Sequence, residues 1–408
     1  VLDADRFGVL RLPAQILFGV GVLDALTPET AALGRRVFIC SDAFIASTPL
    51  FIESRVRLLD AGLTVEVFTD IVPELPVDSV MQATEAARLF APDVVIGFGG
   101  GSAIDIAKLV ALLLSHPGPL SEYYGENKVP GAVVPLIAVP TTAGTGSEVT
   151  PVAVVSDPHH ELKVGVSSPR LIPRVAIVDP RLTLSAPSTV MAHSGIDAFV
   201  HAVESFTAAR RAPEWSAELP VFVGRNKLSS LLGLEAIRLI GANLRTAVAS
   251  PDDLPSHEAM AFGSLLAGMA FGSAGTHLSH AIQYPIGALT KTPHGLGTGL
   301  LLPYVLQAAL CNTRDELVLV ADALGIDAGS AGERAQAAID EIRSLTADIG
   351  IPQTLGEIGI DRSQLQRIGE LALTVARLSN NATISATPQT FNLILEAALA
   401  GNLSNLRH

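Results

Sequence analysis

In the first half of the chain, short apolar runs alternate with stretches whose apolar side chains recur every three or four residues. Arg36 to Asp42 reads as a buried strand ending in polar residues, and Asp93 to Gly97 as a second. Val133 to Val139 reads as a third, in which Pro135 predicts an irregularity or an edge position. Between the first two, Val80, Ala83, Ala87 and Phe90 fall at helical spacing and predict an amphipathic helix over 77–90. Val152 to Val155 and Leu162 to Val166 flank Asp157-Pro158-His159-His160 and predict a hairpin. This alternation predicts a mainly parallel sheet covered by helices. After Asp179-Pro180 the pattern changes, and from Ala186 onward it consists of long helical periods with few strand-like runs. A boundary is expected there, giving an α/β domain over 1–185 and a helical domain over 186–408. Ala208 to Ser230, with Arg210-Arg211, Pro213, Trp215 and Pro220, interrupts the helical half as an ordered loop or insertion.

Length and composition sharpen this picture. A chain of 408 residues is too long for one ordinary core, so two domains are the expectation. Hydrophobic residues make up 49% and charged residues only 16%, which suits a large, well-buried enzyme or an oligomer. A net charge of −13 argues against nucleic acid and anionic membrane as partners. Cys40 and Cys311 form no CxxC pair, which supports neither a disulfide framework nor a thiolate metal site. Each is expected as a small buried hydrophobe. No uninterrupted run approaches the ~18 apolar residues of a membrane span. The N-terminus carries Asp3, Asp5 and Arg6 in place of a basic-then-apolar signal pattern. Cytoplasm is the expected location.

Candidate chemistry gathers at three places. Gly97-Phe-Gly-Gly-Gly-Ser102 follows a strand and opens a helix over 103–115, where glycines admit a pyrophosphate and unpaired N–H groups face it. It is not GxGxxG, because Ser102 stands where the third glycine would be. Pro140-Thr-Thr-Ala-Gly-Thr-Gly-Ser-Glu148 is a second polar loop after a strand, and two such loops at strand ends suggest a nucleotide. Asp42, at the end of an earlier strand, is placed to accept from a ribose diol and would repel a 2′-phosphate, favouring NAD over NADP. Asp105 and Lys108, on the loop helix, are read as braces. The third place is Gly195-Ile-Asp-Ala-Phe-Val-His-Ala-Val-Glu204, where Asp197 and His201 are i and i+4 on one helix face. Downstream lie His277, His280 and His294; one carboxylate with several imidazoles suits Fe(II), Zn or Ni. Spacing alone does not choose between His277 and His280.

Gly99-Gly-Gly-Ser-Ala-Ile-Asp-Ile-Ala-Lys108, Pro140 to Glu148, Gly195 to His201 and Thr292-Pro-His-Gly295 together resemble the iron-containing (group III) alcohol dehydrogenase family, in order and across most of the chain. The resemblance implies an α/β N-terminal dinucleotide-binding domain plus an all-α C-terminal domain (dehydroquinate synthase-like), with a metal and substrate cleft between them. It implies that Asp197, His201, His280 and His294 bind a divalent metal, with Fe(II) first and Zn or Ni compatible. It assigns Gly99, Gly100, Gly101 and Ser102 to the NAD pyrophosphate, and Thr141, Thr142, Thr145 and Lys163 to further cofactor contacts. Asp42 matches the position linked to NAD preference, and Val152 and Phe271 match pocket walls. One departure is Tyr284, in Gln283-Tyr284-Pro285, where many members carry a histidine; a phenol is a poor proton carrier near neutral pH. Tyr284-Pro285 and the 208–230 insertion are similar to the hydroxyacid–oxoacid transhydrogenase branch. The expected activity is hydride transfer between NAD(H) and a small-molecule alcohol or aldehyde, with the metal as Lewis acid, in a homodimer or higher homo-oligomer. The alternatives are a transhydrogenase that retains NAD and a non-redox lyase resembling dehydroquinate synthase.

Overall fold

The apolar runs of the first half become strands of a six-stranded sheet whose strands are all parallel. The computed structural model describes residues 7–72, 74–327 and 329–406; the N-terminal Asp3, Asp5 and Arg6 lie outside the described residues. Strands in chain order are β1 (Gln15–Phe18), β2 (Arg36–Cys40), β3 (Thr64–Phe68), β4 (Val94–Gly99), β5 (Gly125–Glu126), β6 (Leu136–Pro140), β7 (Val152–Val155), β8 (Val164–Ser167) and β9 (Val175–Val178). The six-stranded sheet runs β1-β9-β6-β4-β2-β3. Both faces are buried, as a parallel sheet requires: Phe38, Cys40 and Val95 enter one core, and Val37, Ile39, Val94 and Ile96 the other. Helices α1 (Leu26–Leu33), α2 (Ala43–Ala46), α3 (Pro49–Asp60), α4 (Val77–Phe90) and α5 (Gly101–Ser115) belong to this unit.

From β2 the chain steps outward to β3, then returns through β4 to β6 and β9 on the other side. The order therefore reverses between β2 and β4, and the carboxyl ends of these neighbours carry Asp42 and the Gly97–Ser102 loop. Ligands of open parallel sheets bind at such a reversal. The predicted hairpin is present as antiparallel β7 and β8, joined by β5 into a three-stranded sheet. Pro135 corrects an expectation: β6 is central, and the proline causes neither an edge nor an irregularity within it. It precedes the strand, where its missing N–H is not needed, while its carbonyl accepts from the Val95 N–H at 2.9 Å.

The second unit is helical: α6 (Ser188–Thr207), α7 (Lys227–Ala249), α8 (Leu254–Ala274), α9 (Leu278–Thr290), α10 (His294–Ala323), α11 (Ala331–Asp348), α12 (Leu365–Thr374), α13 (Ala376–Ser379) and α14 (Pro388–Ala400). The two compact units divide at Ala186/Pro187, but Phe7–Leu10 group with the helices and not with the sheet expected over 1–185. The Lys227 N–H donates to Phe7 O (3.0 Å), and the Val9 N–H to Asn226 Oδ1 (3.3 Å). From Gly195 to Thr207 every residue of α6 is buried, so this helix forms the unit's core. The 208–230 stretch is an ordered loop as far as Asn226, closed by a parallel bridge between Arg210 and Arg225; its last residues already belong to α7. Arg210 and Arg225 both donate to Glu316 Oε1, at 2.8 and 2.5 Å, tying the loop to α10.

Among the described residues, α10 is a single helix long and apolar enough on average to cross a membrane, although no unbroken apolar run of that length occurs. Its most apolar window is 72% buried within the protein, which marks it as a core helix. Cys40 is buried as expected; Cys311 is exposed, because it lies on the outward side of α10 beside the backbone break at Thr313.

Candidate metal centre and dinucleotide loops

The four expected ligands come from three helices of one unit. Asp197 and His201 lie one turn apart on α6, His280 is in the first turn of α9, and His294 is the first residue of α10. Two devices bring them together. At Gly275 the chain leaves α8 and bends by 100° into α9, which turns His280 back toward α6. Gly295 lets the start of α10 lie against α6: a Cβ there would stand 2.0 Å from His193 O and 2.9 Å from Asp197 Cβ.

Asp197 is the hub. Its Oδ1 is 3.9 Å from His280 Nε2 and 3.8 Å from His294 Nε2, and its Oδ2 is 3.9 Å from His201 Nε2. One donor atom each from Asp197, His280 and His294 lies within 4.8 Å of the others. His201 stands at the edge of that trio, its ring stacked on His280 at 4.8 Å between centroids. Donors ~2.1 Å from a shared ion stand roughly 3.0–3.5 Å apart, so the cluster is slightly wider than a closed ligand shell. Thr298, one turn into α10, donates to Asp197 Oδ1 at 2.9 Å. Burial alone would raise the Asp197 carboxyl, but His201, His294, His280 and the Thr298 hydroxyl outweigh it and hold the carboxyl below its usual range.

The donor chemistry fits a cation. His280 Nδ1 is 2.7 Å from Glu204 Oε2, which can only accept when ionised, so Nδ1 carries the proton and Nε2 keeps its lone pair. That Nε2 is buried without a hydrogen-bond partner and faces a carboxylate. Two electron-rich atoms facing one another in a buried site call for a positive charge between them. The same geometry separates the two histidines that spacing left open. His277 Nε2 lies 2.9 Å from Thr207 Oγ1 and its Nδ1 3.2 Å from Glu204 Oε1, so its two nitrogens meet residues farther along α6 than Asp197. Sequence reasoning missed Glu204 and Thr298. Glu204 is seven residues past Asp197 on α6 and Thr298 four past His294, so helical spacing offered a signal for both.

The side chains of Asp197, His201 and His280 are almost wholly buried, whereas that of His294 is 33% exposed. The cluster therefore opens on the His294 side, where the Tyr284 ring lies 6.0 Å away between centroids. Phe271 stacks on the opposite histidine, His201, at 4.2 Å and 18°, and walls that side with an apolar ring.

In the sheet unit the two expected loops meet. Gly100 caps α5, whose backbone starts at Gly101 with no side-chain cap. The Thr141 N–H donates to Gly99 O at 3.0 Å. A Cβ on Gly101 would stand 2.7 Å from Thr145 Cγ2, and one on Gly100 3.7 Å from Thr142. Gly99, Gly100, Gly101, Ser102, Thr141, Thr142 and Thr145 thus form one small-residue cradle at a helix N-terminus, suited to an anion. Asp42 caps α2, its Oδ1 accepting from the Ile45 N–H at 2.9 Å, while Oδ2 points toward Gly99. Lys163 is ion-paired with Glu74. Lys108 and Asp105 brace the loops as expected: Lys108 Nζ donates to Thr150 O (2.9 Å) and Val152 O (2.8 Å), and Asp105 accepts from the Val154 N–H (2.9 Å). Burial pulls the Lys108 ammonium down to about 8 against the pull of Asp105 and Glu148. Val152 is therefore a partner of this brace through its carbonyl, and its side chain is half-buried.

Comparison with known proteins agrees with both halves. Residues 13–180 match the family model for iron-containing alcohol dehydrogenase, and residues 191–399 match that of the C-terminal domain of the Fe-containing alcohol dehydrogenase family. The chain is 37% identical over 391 residues to long-chain-alcohol dehydrogenase 1 of Geobacillus thermodenitrificans (strain NG80-2), covering 94% of this chain and 95% of that relative. It is 30% identical over 413 residues to mitochondrial hydroxyacid-oxoacid transhydrogenase of Bos taurus, covering 95% and 89%. Among solved structures, a 1,3-propanediol oxidoreductase superposes with a TM-score of 0.90 at 30% identity, covering 97% of this chain and all of the other. With family models matching both the sheet unit and the helical unit, the chain belongs to the iron-containing alcohol dehydrogenase family.

Proposed function

We propose that Asp197, His201, His280 and His294 hold the divalent metal of an NAD-dependent alcohol dehydrogenase, and that the loops at Gly99–Ser102 and Thr141–Thr145 hold the pyrophosphate of its NAD. The protein is an oxidoreductase acting between NAD(H) and alcohols or aldehydes. The observation that carries the residue assignment is the buried, unpartnered Nε2 of His280 facing the Asp197 carboxylate. When bound, the metal supplies Lewis-acid polarisation of the substrate oxygen, worth several kcal/mol, and NAD supplies or accepts the hydride. Fe(II) is the first choice, with Zn and Ni compatible with the same donors.

The chain's own residues do the positioning. Thr298 keeps Asp197 Oδ1 oriented as an acceptor, and the Gly295 contact holds His294 against it. Phe271 keeps water from the His201 ring, while the exposed edge of His294 leaves one approach for a small alcohol or aldehyde. Tyr284 stands beside that approach and can donate a hydrogen bond to a substrate oxygen or carboxylate. Asp42 selects NAD by accepting from the ribose diol, and Lys163 reaches the cofactor only by leaving Glu74. The active form is a homodimer or higher homo-oligomer in the cytoplasm.

Replacing His280 by Ala should remove bound metal and NAD-linked turnover together, as read by metal analysis and NADH absorbance over a panel of alcohols and aldehydes. Full turnover in His280→Ala protein without metal would reject the assignment. A transhydrogenase reading draws on Tyr284-Pro285 and the bovine relative. Exchange between a hydroxyacid and an oxoacid without added NAD would favour it, and strict dependence on added NAD would exclude it.

A further inference from the structure

We propose that Glu204 is a positioning residue that fixes which nitrogen of His280 is free to bind the metal and pins the start of α9 to α6; this rests on the metal assignment above. The Glu204 side chain is fully buried, and N–H groups surround it. Oε2 accepts from His280 Nδ1 (2.7 Å) and from the His277 N–H (2.8 Å); Oε1 accepts from the Ser279 N–H (2.7 Å). The two backbone donors belong to the first turn of α9 and the residue just before it, where unpaired N–H groups and the helix dipole favour a carboxylate.

One carboxylate therefore does two things. It replaces the cap that His277 does not provide with its own side chain, which holds α9 at a fixed height on α6. It also demands a proton on His280 Nδ1, so that Nε2 presents a lone pair toward Asp197 Oδ1 at 3.9 Å. Without Glu204, nothing at Nδ1 favours one tautomer over the other, and the ring loses the contact that orients it. A carboxylate on the far nitrogen of a metal-binding imidazole also makes that imidazole a stronger donor, and loss of such a partner typically weakens metal affinity by about 10–100-fold. A residue that only capped α9 would alter stability and leave the affinity and electronic structure of the bound ion unchanged.

The test uses Co(II), whose visible spectrum reports its ligands, added to metal-stripped full-length protein. Wild type should bind one Co(II) per chain; if it does not, the metal assignment itself fails. Glu204→Gln keeps the size and a capping oxygen but removes the charge. It should bind Co(II) about 10–100-fold more weakly with a shifted d–d spectrum, and Glu204→Asp should recover part of both. A folded Glu204→Gln protein with wild-type affinity and spectrum overturns the proposal while leaving the metal assignment standing. Should Glu204→Gln not fold, 15N-histidine NMR of Zn-loaded wild type decides: Nδ1–H with metal at Nε2 of His280 supports the proposal, and metal at Nδ1 overturns it.

Discussion

His277 and His280 stand three residues apart, yet replacing them should have different consequences. His277 Nε2 contacts Thr207 and its ring is buried against α6, so His277→Ala removes packing and one hydrogen bond, while the Thr207 hydroxyl keeps its bond to Val203 O. It should lower unfolding stability by about 1–3 kcal/mol and keep stoichiometric metal, in contrast to His280→Ala. Thermal unfolding and metal analysis of the two variants check this, and metal loss in His277→Ala would undo the distinction. At this scale the sequence was legible where spacing is local. Asp197 and His201 share a helix face whatever the fold, whereas the choice of His280 came only through family resemblance. Spacing put Glu204 on the Asp197 face of α6, but its hydrogen-bond partners lie 73 to 76 residues away, so the sequence did not show what its carboxylate holds. Cys311 was misjudged because burial was assigned from residue type without knowing which side of α10 it would occupy.

The centre depends on how closely helices approach. Gly295→Ala would place a Cβ against His193 O and Asp197 Cβ, forcing the first turn of α10 away from α6 and carrying His294 with it. We expect a stability loss of about 1–3 kcal/mol and metal binding weakened at least tenfold, measured by thermal unfolding and by competition with a chromophoric chelator. Unchanged metal affinity would show that His294 does not need this contact. In the sheet, Asp93 joins the starts of β2 and β4: its Oδ2 accepts from the Arg35 and Arg36 N–H groups at 2.8 and 2.9 Å, which holds its carboxyl below the usual range. A depressed carboxyl stabilises the fold above its unfolded value and loses that contribution as pH falls through the lower folded value. Asp93→Ala should therefore cost up to ~1 kcal/mol at neutral pH, limited by the residue's exposure, and the gap from wild type should close as pH drops below 3.8. Urea unfolding at both pH values tests this, and a gap that persists in acid contradicts it. The element order was legible from apolar periodicity, which fixed α4 over Val77–Phe90 and the β7–β8 hairpin. It failed at Pro135, where periodicity extended a strand backward through a residue that only leads into it. It also missed the Phe7–Leu10 segment, too short to show a period and held by hydrogen bonds to Asn226, Lys227 and Ser273.

At the scale of the molecule, the two ligand chemistries are assigned to separate units and should fail separately. Gly101→Ala would press a Cβ on Thr145 at the mouth of the cradle. It should weaken NADH binding at least tenfold in a fluorescence titration while metal content stays at the wild-type value; simultaneous loss of metal would mean that the substitution disturbs more than the cradle. We propose that turnover requires one ion held by Asp197 and the three imidazoles. The most direct test is an anaerobic titration of metal-stripped protein with Fe(II), following NADH formation from an alcohol that the loaded enzyme oxidises. Activity should start near zero, rise in proportion to added Fe(II) and level off at one ion per chain. Full activity before any metal is added, or no dependence on the ion, would contradict the account.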